Sequence, residues 1–109
     1  MKAVGYQQSL PITDPNSLMD IELPKPQPQG QDLLVKVEAV SVNPVDTKVR
    51  KGVSPDSGFK VLGWDATGVV EQVGDQVTLF KPGDRVWYAG AIDRPGTNAE
   101  YHLVDQRIV

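Results

Sequence analysis

Cysteine is absent from the 109 residues. That excludes a disulfide framework and any thiolate-bound zinc. It suits a reducing, cytoplasmic setting. Histidine occurs once, as His102. No second imidazole or thiol exists to complete a metal cluster or a nucleophile pair with it, so a structural or surface role is expected. No apolar run nears the ~18–20 residues of a membrane span. The first residues, Met1 to Gly5, lead straight into a strand-like pattern rather than an apolar leader. Basic residues are outnumbered 11 to 14 and the net charge is −3. Only Lys48, Arg50 and Lys51 cluster, so no nucleic-acid partner is expected. Neither Gly-x-Gly-x-x-Gly nor a Walker loop occurs.

What the chain does have is punctuation. Ten glycines and nine prolines leave little room for long helices. Lys2–Tyr6 and Leu18–Leu23 read as short strands, with Asp14-Pro15-Asn16 as turn chemistry between them. The alternating prolines of Pro24 to Gly30 favour an extended connector. Asp32 to Val42 is the clearest strand. Leu33, Val35, Val37 and Ala39 fall on one face, Lys36 and Glu38 on the other. Pro44 suits the first position of a short helix, Val45 to Lys51, and Gly52 its stop. Further strands are expected at Ala66–Val73, Arg85–Tyr88 and Ala99–Val104. The sum is a mainly β, partly open barrel with one or two short helices.

Two segments stand out chemically. Gly63-Trp64-Asp65-Ala66-Thr67-Gly68-Val69-Val70-Glu71-Gln72-Val73-Gly74 leads to Lys81-Pro82-Gly83-Asp84-Arg85-Val86. Ser41-Val42-Asn43-Pro44-Val45-Asp46-Thr47-Lys48 joins the long strand to the helix. Together with Gly96-Thr97-Asn98-Ala99-Glu100-Tyr101, they resemble the GroES-like catalytic domain of medium-chain dehydrogenases/reductases. The likeness runs over nearly the whole chain.

The resemblance implies a specific departure. In zinc-dependent alcohol dehydrogenases, the position of Asn43 holds a cysteine ligand and that of Trp64 a histidine ligand. The position of Val45 holds a hydroxyl that relays protons. An indole nitrogen is a donor only and cannot ligate zinc. A four-cysteine lobe that often follows Tyr88 is replaced by a short Gly/Pro loop. No metal is therefore expected. Asn-Pro-Val-Asp resembles instead the zinc-independent quinone oxidoreductase and enoyl-reductase branches.

The resemblance suggests catalytic roles for Asn43 and Asp46, and a cofactor-facing position for Asn43 and Thr47. Trp64, Lys48 and Tyr88 would line the substrate side. Each has a plainer reading. Asn43 suits a helix N-cap, and one residue can serve as both cap and site. Asp46 suits the first turn of a helix, and Lys48 a solvated surface. Trp64 is either a stacking wall or core. Tyr88 and Arg94 are candidates for the substrate mouth.

The expected activity is NADPH-dependent reduction of a quinone, enone or other carbonyl compound. NADPH would bind a Rossmann domain that the family places where this chain stops. The chain is thus expected to be an N-terminal portion of a longer, homodimeric enzyme, and inactive alone. The alternative is a stand-alone β-barrel module for binding or oligomerisation.

Overall fold

Alternating side chains build the longest strand, and the rest of the sheet gathers around it. The computed structural model describes Met1–Val109. Strand β1 is Lys2–Tyr6, β2 Met19–Glu22, β3 Asp32–Ser41, β4 Lys60–Val61, β5 Asp65–Val73, β6 Arg85–Ala89 and β7 Tyr101–Asp105. The single α-helix, α1, is Pro44–Gly52, and a 3-10 turn covers Gln106–Ile108. The mainly β expectation holds. The strands form two open antiparallel sheets, ordered β2-β1-β4 and β6-β5-β3-β7. An isolated bridge from Ala3 to Ala99 ties one sheet to the other's approach.

β3 lies between β5 and β7, and its apolar face founds the main core. Leu33 and Val35 pack there with Ala66, Val70, Val86, Tyr88 and Val104. Leu34 points the other way and is also fully buried, so both faces of β3 are covered at its start. Toward its far end the strand emerges: Glu38 to Ser41 are exposed. A second, smaller core of Tyr6, Leu62 and Trp64 sits beneath α1, with Val49 against it. The Tyr6 hydroxyl donates to the Val53 carbonyl at 2.6 Å and the Val49 carbonyl at 3.2 Å, fastening β1 to the helix end.

Glycine is needed where chains cross closely. Gly63 has φ +95°, and a Cβ there would lie 2.5 Å from Thr97 Oγ1. A Cβ at Gly68 would meet the Lys36 carbonyl oxygen at 2.3 Å, where β5 passes a register shift in β3. Both are far inside contact distance, so these two glycines set the packing of β5.

Some boundaries differ from expectation. α1 begins at Pro44 and ends at Gly52, and Gly52 is not a left-handed stop. Val53 closes the helix in extended conformation, its N–H donating to Val49 O at 2.9 Å. β7 starts at Tyr101 because Ala99 is spent on the bridge to Ala3. β4 was not foreseen. Its two residues carry no period of their own and pair only with Gly5 and Tyr6.

Candidate functional site

Three strand ends meet at one place. Ser41 is opposite Asp65 across β3 and β5, and Asp65 is opposite Ala89 across β5 and β6. The chain leaves β3 there and turns into α1 through Asn43. Pro44 starts the helix with φ already set. A cleft of about 340 Å³ opens beside these ends, walled by Ser41, Asp65, Thr67, Trp87 and Ala89 among others.

Asn43 is the N-cap residue, but its side chain makes no cap hydrogen bond. The Asp46 carboxylate works back instead, accepting from the Asn43 N–H at 2.7 Å. This is a capping-box arrangement, with an acid where the helix dipole favours it. The Asn43 side-chain amide is left for other work. One N–H points to Asp65 Oδ2 at 2.8 Å. The other reaches Ser41 O at only 3.4 Å, a long bond that exchanges readily for a better acceptor. Asn43, Asp46 and Asp65 therefore form one network, and sequence reasoning gave Asp65 no part in it.

The remaining candidates fall less neatly. Thr47 is exposed and donates to Pro44 O at 2.8 Å, which leaves its oxygen able to accept. Lys48 is exposed. Trp64 is only 5% exposed and belongs to the small core with Tyr6 and Leu62. Its ring packs in that core, which is the plainer of its two readings. The tryptophan that faces the cleft is Trp87, which is 80% exposed.

Tyr88 also lines this cleft, yet its ring lies in the main core and its hydroxyl is engaged. The hydroxyl meets His102 Nδ1 at 2.8 Å, while His102 Nε2 meets the Pro95 carbonyl at 3.0 Å. A carbonyl only accepts, so Nε2 carries the proton and Nδ1 accepts from the tyrosine. Burial drives the His102 pKa down to about 4 and pushes the Tyr88 phenol up. His102 is thus a buried structural histidine. Arg94 is not at the cleft mouth either. It clamps Asp32 through two bonds of 2.9 and 2.8 Å at the start of β3, and Asp32 holds its pKa up.

The donor set at the strand ends does not suit zinc. Asn43 offers an amide, Trp64 an indole, and no three His, Cys, Asp or Glu side chains converge anywhere. Zinc favours nitrogen and sulfur ligands in tetrahedral array. What the site offers is an amide donor bonded to Asp65, which lines a cleft with Trp87 and Tyr88 in its wall.

Residues 29–109 match the model of the alcohol dehydrogenase GroES-like domain. The chain belongs to that family. This GroES-like domain is 47% identical over all its residues to a zinc-type alcohol dehydrogenase-like protein of Staphylococcus aureus (strain COL), covering 32% of that protein. A solved structure from Rhizobium etli CFN 42, assigned as a zinc-dependent alcohol dehydrogenase, is 66% identical. The match covers 98% of this chain and 31% of that one, with a TM-score of 0.96. Escherichia coli quinone oxidoreductase, solved in complex with NADPH, is 29% identical. There the coverage is 96% and 31%, with a TM-score of 0.81. The domain thus spans about a third of the length of the curated relatives it matches. No helix is long and apolar enough to cross a membrane.

Proposed function

We propose that this domain forms the substrate side of a longer NADPH-dependent oxidoreductase that reduces a quinone, enone or related carbonyl compound without zinc. The observation that carries the reading is the Asn43 amide. It stands at the strand ends beside the cleft, braced by Asp65, with one N–H weakly held. The likeness to zinc-type alcohol dehydrogenase-like proteins and to an NADPH-bound quinone oxidoreductase supports the same class.

NADPH, held by another part of the longer protein, would supply the hydride. The chain's own residues would orient and polarise. Asn43 turns its free N–H from Ser41 to the substrate carbonyl oxygen, where negative charge develops as hydride arrives. Asp65 keeps the amide plane in place. Asp46 fixes the Asn43 backbone. Thr47, one position on, offers its hydroxyl oxygen as acceptor toward the cofactor.

Asn43→Ala in the intact protein tests this. Turnover with NADPH and a quinone should fall by about a hundredfold. Stability should fall by about 1–3 kcal/mol, the cost of losing a hydrogen bond to a carboxylate. Unchanged kinetics would remove Asn43 from the site.

A further inference from the structure

Trp87 is 80% exposed, more than any other large apolar side chain of the domain. An indole ordinarily buries most of its surface, so one left open is informative. Its surroundings follow from strand pairing. β6 alternates, with Val86 and Tyr88 buried and Trp87 and Ala89 outward. Trp87 is opposite Thr67 on β5, and Thr67 is opposite Ala39 on β3. The next row on the same face is Ala89, Asp65 and Ser41. Apart from Trp87 and Asp65, these side chains are small and exposed. The indole therefore stands beside a low shelf. The cleft of about 340 Å³ is lined by both rows, and its volume falls in the range of ligand pockets.

The shelf also meets the Asn43 amide. That amide donates to Asp65 Oδ2 at 2.8 Å and, weakly, to Ser41 O at 3.4 Å. Both acceptors belong to the second row. Asp65 and Trp87 are diagonal neighbours across β5 and β6. That spacing is roughly 7–8 Å, within reach of an aromatic side chain. A flat molecule lying on the shelf can thus touch the indole with its ring and turn a carbonyl to the amide. Tyr88 offers no second wall, because its ring is in the core and its hydroxyl is held by His102.

We infer that Trp87 is a specificity-determining residue that stacks on the ring of a planar, fused-ring quinone whose carbonyl points to Asn43. This rests on the reductase reading above and narrows its substrate class. The face of an indole is negative, and the ring of a quinone is electron-poor, so offset stacking attracts them. A non-aromatic enone brings the same carbonyl with a puckered ring and gains less from the contact. The small side chains at Ala39, Thr67 and Ala89 leave the room that a flat ring needs.

The test uses intact protein labelled with 5-fluorotryptophan, so that each indole gives one fluorine resonance. Trp87→Phe assigns the Trp87 peak by its loss. NADP+ is added first and should leave that peak in place. Menadione, a fused-ring quinone, titrated into the same sample should move it saturably. Cyclohexenone should need at least about tenfold more for half the shift. A peak that ignores menadione, follows both probes alike, or moves with NADP+ instead would overturn the stack.

Turnover gives the second reading. Trp87→Ala should lower the kcat/KM preference for menadione over cyclohexenone about tenfold, chiefly through the menadione KM. Trp87→Tyr should restore most of it. An unchanged preference, or a loss carried by kcat alone, would overturn the role. The peak shift needs no turnover, so it decides the stack even if Asn43→Ala leaves kinetics unchanged. A peak that stays still removes Trp87 and leaves the reductase reading standing.

Discussion

Around β3 the buried side chains are nearly all aliphatic, and the few polar groups among them are paired. Leu33, Val35, Val70 and Val104 fill the space, and the Tyr88–His102–Pro95 chain closes on itself. Around α1 the buried set is mixed: Trp64 and Tyr6 lie with Asp46 and Arg50, and Asp46 Oδ1, Trp64 Nε1 and Thr97 Oγ1, beside Gly63, lack partners. The first region is built largely of apolar side chains and paired polar ones. The second leaves polar atoms unpaired, as sites of function commonly do. The contrast separates the part of the domain that holds the fold from the part that presents Asn43.

The sharpest way to break the contrast is to open the main core. Leu33 is fully buried at the centre of that cluster. Leu33→Ala should cost about 2–5 kcal/mol. A urea midpoint shift measures it. A shift within about 0.5 kcal/mol of zero would mean that this core does not carry the stability assigned to it.

Acid should find the same region next. Folding holds the His102 pKa at about 4, against about 6.5 for a free imidazole. Between those values the unfolded chain binds more protons than the folded one. The stabilisation is therefore complete above pH ~6.5 and is lost as pH falls toward ~4. Its size is about 3 kcal/mol at most. Thermal midpoints measured from pH 7 to 5 should fall in the native protein and stay flatter in His102→Gln, which can still accept from Tyr88. Parallel curves would place the titration elsewhere.

The smallest effect belongs to the helix side. Tyr6→Phe removes the hydroxyl that fastens Val53 and Val49, at a cost of about 1 kcal/mol. Loosening should be greatest at the end of α1 in amide exchange. A uniform loss across both sheets would merge the two regions into one cooperative unit.

The sequence foretold the main core better than the site. β3 announced itself through alternation, and Pro44 fixed where α1 begins, because period and proline act locally. Asn43 was visible as a strand-end residue. Its partner Asp65 was not, since 22 positions separate them and only strand pairing brings them together. The placement of the two tryptophans was hidden for a similar reason. Trp64 follows a glycine whose left-handed turn carries it inward, while Trp87 alternates outward on β6. Arg94 looked like a loop residue near the cleft, but its partner is Asp32, 62 positions away. In each case the contact that decided the role was long-range.

The central claim is that this domain serves a reductase that needs an amide, and not a metal, at the strand ends. The direct measurement is NADPH oxidation by the intact protein with a quinone substrate, before and after exhaustive chelation, with zinc quantified in the same samples. The account predicts turnover that survives chelation and no stoichiometric zinc bound at Asn43 and Trp64. Turnover that vanishes with the chelator and returns with zinc would contradict it.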